Sequence, residues 1–290
     1  MELIFSTLIN GLSLGGIYAM IALGYTMVYG IAKLLNFAHG DVIMVGGYAI
    51  FVFMATKNPI LAVLLAVVVC VVLGVTIERV AYRPLRGASP LAVLITAIGV
   101  SYLLQSLAQI VFGSAPKMVT VYEFGAVKLM GVTVQISSLV TLAVTVVVMT
   151  ALTLFVKYTR LGRAMIAVSE DRGAAQLMGI NVNRIITITF AIGSALAALA
   201  GLFYLLKAPR VFNTMGAMPG IKAFTAAVIG GIGSIPGAML GGILLGMIES
   251  LSYKITAIAP YTDAIEFSIL ILILLVRPTG FLGKKRREKV

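Results

Sequence analysis

Charged residues are scarce in this chain. Asp, Glu, Lys and Arg make up only 11% of its 290 residues, whereas hydrophobic residues make up 60% and the mean hydropathy is +1.09. A water-soluble domain is about one quarter charged, so this chain has too little polar surface to cover a soluble fold. The composition excludes a soluble globular domain and predicts a polytopic membrane protein.

Residues with catalytic or metal-binding chemistry are also nearly absent. The chain has one histidine (His39), one cysteine (Cys70) and no tryptophan. A single cysteine excludes a disulfide within the chain, and no Cys/His spacing typical of a metal site occurs. "GFLGKK" near the C-terminus lacks the spacing of a phosphate-binding loop. We therefore expect no catalytic site, no metal and no cofactor in this chain.

Acidic residues are fewer than basic ones, 10 against 22, and the net charge is +12. The basic residues lie between apolar segments and at the C-terminus, which is typical of membrane topology and not of nucleic-acid binding. Fifteen of the 22 basic residues lie on one side of the membrane if the segments 31–40, 79–90 and 157–184 and the tail 277–290 are cytoplasmic. The N-terminus is then expected outside, and the tail near anionic lipid.

Long apolar segments predict an all-α, polytopic membrane helix bundle forming a single transmembrane domain over 1–290. About seven full spans are expected, near 5–30, 41–56, 60–78, 91–112, 137–156, 184–206 and 262–276. The segment 218–253 is apolar but interrupted by glycines and Pro236, so it is either two short spans or a re-entrant hairpin. Glycines four residues apart, Gly11 with Gly15 and Gly242 with Gly246, predict close helix packing.

A few polar residues interrupt the apolar segments. "LLNFAHGDVIMVGG" (34–47) places Asn36, His39 and Asp41 around a glycine, which predicts a helix break with Asp41 capping the next helix. Gly233 and Pro236 mark a second break. Glu249 is expected near Lys254 or facing the bundle, and Glu266 at the outer boundary. For these ionisable groups a structural role and a place on a translocation pathway both remain open.

The loop 157–184 is too polar to span a membrane. Ser169 is expected to cap a short helix over 170–178 with Glu170 and Asp171 in its first turn, and Gly179 to end it. This helix would present Ala174, Leu177 and Met178 on one side. It would either dock into a groove of a partner protein or lie on the inner leaflet.

The segment "GAAQLMGI" (173–180) resembles the "EAA-x-x-x-G" coupling loop of ABC-importer permeases. Ala174, Ala175 and Gly179 match this pattern, whereas Gly173 stands where that loop has glutamate. "NGLSLGGIYAMIALGYTMVYGI" (10–31), "NFAHGDVIMVGGY" (36–48) and "GGIGSIPGAMLGGILLGMIES" (230–250) are similar to the H-type permease subunit of branched-chain amino acid importers. The resemblance extends over essentially the whole chain.

That resemblance implies an ATP-driven importer of branched-chain or related neutral amino acids in the bacterial cytoplasmic (inner) membrane. Its partners would be a second homologous permease, two cytoplasmic ATPases that carry ATP and magnesium, and a periplasmic or lipid-anchored binding protein. Two alternatives remain open at this point. One is an ABC permease for urea or short amides, and the other is a stand-alone ion-coupled transporter with Asp41 and Glu249 as ion ligands.

Overall fold

The computed structural model describes residues 2–129 and 132–283, which form a bundle of eleven α-helices with two small antiparallel strand pairs. The helices are α1 Glu2–Ala32, α2 His39–Phe53, α3 Pro59–Ile77, α4 Pro90–Phe112, α5 Ile136–Tyr158, α6 Arg160–Glu170, α7 Arg172–Leu177, α8 Val182–Lys207, α9 Ala217–Gly230, α10 Ile235–Lys254 and α11 Thr262–Val276. A π-helical turn, Glu78–Tyr82, continues α3. The strands are β1 Lys117–Met118, β2 Ala126–Leu129, β3 Val132–Gln135 and β4 Arg210–Val211, paired β1 with β4 and β2 with β3.

Eight of the helical segments are long and apolar enough to cross a membrane. The seven predicted spans are among them, which confirms the polytopic all-α bundle. The eighth is Ile235–Lys254. The segment 218–253, expected as two short spans or a re-entrant hairpin, is a pair of packed helices of which only the first, α9, is short, while the second, α10, is long enough to span a membrane. The turn between them is built from Gly231 and Gly233 with positive φ, and Ser234 caps α10 ahead of Pro236.

Helix α1 lies at the centre of the bundle, against α10, α8, α9 and α5. Its contact with α10 depends on glycine. A methyl group placed on Gly246 would lie 2.1 Å from the backbone nitrogen of Gly15, and one on Gly242 would lie 2.4 Å from that of Ala19. The backbones of the two helices therefore touch, as the glycine spacing predicts. In lipid such close packing replaces the hydrophobic effect as the source of helix association.

The loops separate into two ends of the bundle. We define the basic end by the segments 33–38, 83–89 and 159–181, which are joined to one another by contacts such as Arg172 with Ala32 and Arg86 with Asn183. At the opposite end the start of α1 meets the end of α10, where Ser250 Oγ donates to the Thr7 carbonyl at 2.9 Å. The chain leaving α11 returns to the basic end, since Leu282 N–H donates to the Gly230 carbonyl. The predicted basic tail lies beyond this point, and its residues 284–290 are outside the described part.

The α1–α10 contact generates a stability prediction. Gly246→Ala forces the two backbones apart, so we expect the apparent melting temperature in detergent to fall by at least about 5 °C. Gly99→Ala is the matched control, because nothing lies within 4 Å of a methyl group at that helical position. Fluorescence-detected size exclusion after heating measures both variants. Equal melting temperatures for the two would contradict the packing described here.

Candidate functional site

The break between α1 and α2 lies inside the bundle. The His39 imidazole is buried, and a methyl group placed on Gly24 would lie 2.4 Å from its Nε2. Gly24 precedes the end of α1 by eight residues, which corresponds to about 12 Å of helix. Residues 33–38 therefore turn back into the bundle, and α2 begins well below the end of α1.

Two polar side chains at this break, Asn36 and Asp41, have hydrogen-bond partners on neighbouring helical segments. The Tyr82 hydroxyl donates to Asn36 Oδ1 at 2.7 Å, and Gln105 Nε2 donates to Asp41 Oδ1 at 2.9 Å. His39 packs edge-on against Tyr25, with ring centroids 4.8 Å apart. The expectation that Asp41 caps α2 was wrong. Helix α2 begins at His39, and the Asp41 side chain instead reaches α4 from the first turn.

The start of α9 meets the start of α2 at the same place. A methyl group on Gly216 would lie 1.8 Å from the Gly40 carbonyl oxygen, so the two backbones are in contact. The N-terminal ends of two helices, each with a partial positive charge, therefore point into one region. Asp41 is acidic and lies in the first turn of α2, whereas α9 has no acidic residue in its first turn. The Asp41 carboxylate is therefore placed to offset the dipole of α2.

A second group of polar residues is an ion cluster near the opposite end, in which Lys222, Glu249 and Glu266 are buried and Asp263 is half exposed. The ammonium group of Lys222 on α9 lies 3.0 Å from Glu249, 2.8 Å from Asp263 and 3.2 Å from Glu266. Tyr18 on α1 donates to Glu249 at 2.6 Å. Four helices are joined by this cluster.

The ion cluster corrects one expectation and decides between the alternatives of another. Lys222 lies on α9 and is buried, so it cannot be counted as a loop residue when basic residues are used to assign topology. For Glu249 the alternative that it faces the bundle is confirmed, because it is buried and pairs with Lys222, whereas Lys254 is exposed. Glu266 is fully buried within the same cluster. Of the predicted second break, Gly233 lies in the α9–α10 turn and Pro236 in the first turn of α10.

Another buried carboxylate holds the basic end together. Glu78, in the π-helical turn after α3, is fully buried and pairs with the Arg86 guanidinium. Its second oxygen accepts from Thr187 Oγ1 on α8 at 2.8 Å, and Arg86 also donates to Asn183. The sequence pattern did not indicate this group. A glutamate at the end of an apolar segment resembles an ordinary helix end, and its partner Thr187 is 109 residues away along the chain.

The loop 157–184 carries two helices and not one. Ser169 lies within α6, where its hydroxyl donates to the Ile166 carbonyl, and Glu170 ends that helix. The N-cap of α7 is Asp171, whose carboxylate accepts from the Ala174 N–H at 2.9 Å. The predicted Ser169 cap was therefore wrong. Asp171 is an equally good capping residue, and because it caps in place of Ser169, a new helix, α7, begins after it.

The end and the exposed surface of α7 agree with the sequence pattern. Gly179 has φ of +83°, and the N–H of Ile180 donates to the Ala175 carbonyl, which together form a left-handed helix end. Leu177 is 90% exposed and Met178 is 83% exposed, and Ala174 beside them is exposed as well. Ala175 is buried against the bundle. We call Ala174, Leu177 and Met178 the α7 surface.

Helix α7 is attached to α1 through Arg172. Its guanidinium donates to the carbonyl of Ile31 at 3.2 Å and to that of Ala32. Partial burial and, secondarily, the nearby Arg86 lower the pKa of Arg172. A guanidinium remains charged under such a shift, so it stays a strong donor to both carbonyls.

Comparison with known proteins identifies the family to which this arrangement belongs. The model of the branched-chain amino acid transport system permease component family matches residues 7–274. The chain belongs to this permease family. The permease is similar to the high-affinity branched-chain amino acid transport system permease protein BraD of Pseudomonas aeruginosa, at 45% identity over 98% of this chain and 97% of that protein.

Further relatives extend the same similarity. LivH of Escherichia coli, another high-affinity branched-chain amino acid transport system permease protein, is 44% identical over 97% of this chain and 96% of its own length. A probable branched-chain amino acid transport permease protein of Methanocaldococcus jannaschii is 28% identical over 91% of this chain and 88% of its own. The family resemblance and the transport role predicted from the sequence are confirmed, and the permease is a multi-pass membrane protein.

The ion cluster gives a stability prediction for the permease. Lys222→Met leaves three carboxylates without their shared cation, and breaking a buried ion pair costs about 3–5 kcal/mol. We expect the melting temperature to fall by roughly 10 °C. Adding Glu249→Gln should recover part of this loss, because it removes one of the unpaired charges.

Lys254→Met is the matched control, since it removes one positive charge at an exposed position at the end of α10. Its melting temperature should stay close to that of the unchanged permease. A small effect of Lys222→Met, equal to that of Lys254→Met, would contradict a stabilising role of the cluster.

Proposed function

We propose that this permease imports branched-chain or related neutral amino acids across the bacterial cytoplasmic membrane, driven by ATP hydrolysis on two partner ATPases. The observation that supports this most strongly is α7. It is a short helix with caps at both ends, it lies at the basic end, and it exposes two large apolar side chains. A surface of this kind suits the groove of a partner protein.

The partner ATPases supply the nucleotide chemistry in this proposal. We assign ATP and magnesium to them because this sequence carries no phosphate-binding loop. The positive-inside rule places the basic end, and with it α7, in the cytoplasm where those ATPases reside. The permease itself then contributes conformational change and a route for the cargo, and no catalysis.

A second, homologous permease and a binding protein complete the proposed importer. Helices α4 and α11 have largely exposed apolar surfaces, which lipid and the second permease would cover. Branched-chain cargo is the assignment that the relatives BraD and LivH support by name. An external binding protein would select the cargo, so the permease needs few specific contacts with it.

Within this permease we assign the break between α1 and α2 to the translocation pathway. Asn36, His39 and Asp41 are polar groups deep in the bundle, beside a contact of two helix N-termini. Glu249 is assigned a structural role in the ion cluster. Asp41 and Glu249 belong to different hydrogen-bond networks among the described residues, which disfavours a shared ion site.

Reconstitution tests the proposed function. The permease, its homologous partner, both ATPases and the binding protein are placed in liposomes with radiolabelled leucine. We expect uptake that requires ATP and the binding protein and that persists after ionophores collapse the proton and sodium gradients. Uptake by the permease alone, driven by an ion gradient, would contradict the proposal.

The α7 surface generates a sharper prediction about ATPase binding. Leu177→Glu places a charge where the partner groove is proposed to be apolar, and we expect ATPase copurification to fall about tenfold or more, as expected for an apolar hot spot. Leu161→Glu on α6 is the matched control, because it makes the same change at another exposed leucine of the same loop. Copurification is measured by quantitative blotting. Equal ATPase recovery for both variants would show that α7 is not the docking helix.

A further inference from the structure

The last turn of α1 ends inside a polar environment that satisfies its free carbonyl groups. A helix leaves its last four carbonyls without intrahelical partners. Here the Lys33 N–H donates to the Tyr29 carbonyl at 2.9 Å, and the Lys33 ammonium donates to that of Gly30. The carbonyls of Ile31 and Ala32 both accept from Arg172.

Arg172 therefore connects two functionally different parts of the chain. It is the first residue of α7, directly after the capping residue Asp171. The carbonyls that it contacts belong to the end of the most central helix, immediately before the segment 33–38. A cation at a helix C-terminus is also favoured by the helix dipole, so the contact combines hydrogen bonds with electrostatic attraction.

A second contact reaches the same segment from another direction. The Tyr82 hydroxyl holds Asn36 at 2.7 Å from within the π-helical turn, and π-turns frequently occur at functional sites. That turn is tied to α8 by Glu78, through Thr187 and Arg86. Helix α8 begins at Val182, directly after the loop that ends α7. Helix α7 is thus connected to 33–38 by two routes, one through α1 and one through α8.

We propose that Arg172 and Tyr82 are positioning residues that transmit motion of α7 to the break between α1 and α2. When the ATPases displace α7, Arg172 moves the end of α1 and the Glu78 group moves Tyr82. Asn36 and the start of α2 follow, because residues 33–38 are held at both points. This inference rests on the proposed function, since it requires α7 to be the element that the ATPases move.

Arg172→Met tests the first contact in the complete reconstituted importer. The side chain keeps its apolar length but loses every hydrogen-bond donor. We expect assembly and ATP hydrolysis to persist while leucine transported per ATP falls about tenfold, within the usual range of coupling between sites. Arg172→Lys, which still donates to one carbonyl, should recover part of the ratio. Arg163→Met is the control, because Arg163 is an exposed arginine of α6.

Tyr82→Phe tests the second contact with the loss of a single hydroxyl group. It should also lower transport per ATP, by less than Arg172→Met. If both residues act on one moving segment, the double variant will depart from the product of the two single effects. Simple multiplication of the two effects would overturn the shared role, and an unchanged transport ratio in Arg172→Met would overturn the proposal itself.

A distance measurement tests whether α7 and the end of α1 move together, even if the importer with Arg172→Met fails to assemble. Spin labels are placed at Gln176→Cys on α7 and Leu35→Cys in the break, in a Cys70→Ser background with Arg172 unchanged. We expect the label distance to stay constant between nucleotide-free and ATP-trapped importers, because α7 and the end of α1 move together. A shift of several ångströms between those states would overturn the proposal.

The proposed function and the proposed role of Arg172 are contradicted by different results. If the unmodified importer shows no ATP-dependent uptake, the proposed function is wrong. If it shows such uptake and Arg172→Met preserves the ratio of leucine to ATP, only the role of Arg172 is wrong.

Discussion

The start of α2 inside the bundle is the constraint on which the rest of this permease depends. Backbone N–H and carbonyl groups that leave a helix at membrane depth need partners from the protein itself. Segment 33–38 is supported at two points: Arg172 donates to the carbonyls of Ile31 and Ala32 just before it, and the Tyr82 hydroxyl donates to the Asn36 side chain within it. Helix α7 and the π-helical turn after α3 supply these groups. The contacts that hold the break are therefore also the contacts that connect it to α7.

The same constraint explains the glycines around the break. For α2 to begin beside α1, His39 has to lie directly on the backbone at Gly24. For α9 to begin beside α2, Gly216 and Gly40 have to touch. Gly15 and Gly246 complete this core by bringing α10 onto α1. None of these glycines has room for a methyl group. The close approach of α1, α2, α9 and α10 therefore depends on single glycine residues.

Local patterns in the sequence were sufficient for the features that depend on neighbouring residues. Apolar length predicted the spans, glycines four residues apart predicted close helix packing, and Gly179 predicted the end of α7. The ion cluster was not predictable in this way, because Lys222 finds its partners only after four helices have packed. Ser169 and Asp171 illustrate a different limit of prediction from local sequence patterns. Both residues can cap a helix, and only the packing of α6 against the bundle decides between them.

We propose that the nucleotide state of the partner ATPases changes the conformation of the break between α1 and α2. A single cysteine at position 38, in a Cys70→Ser background, tests this directly, because Ala38 is fully buried in the break. Its reaction with a membrane-impermeant maleimide is measured in nucleotide-free and ATP-trapped importers. We predict about a tenfold difference in rate between these states, while a cysteine at the equally buried Ala97 on α4 stays unreactive in both. The same rate at position 38 in both states would show that the break does not change conformation with nucleotide state.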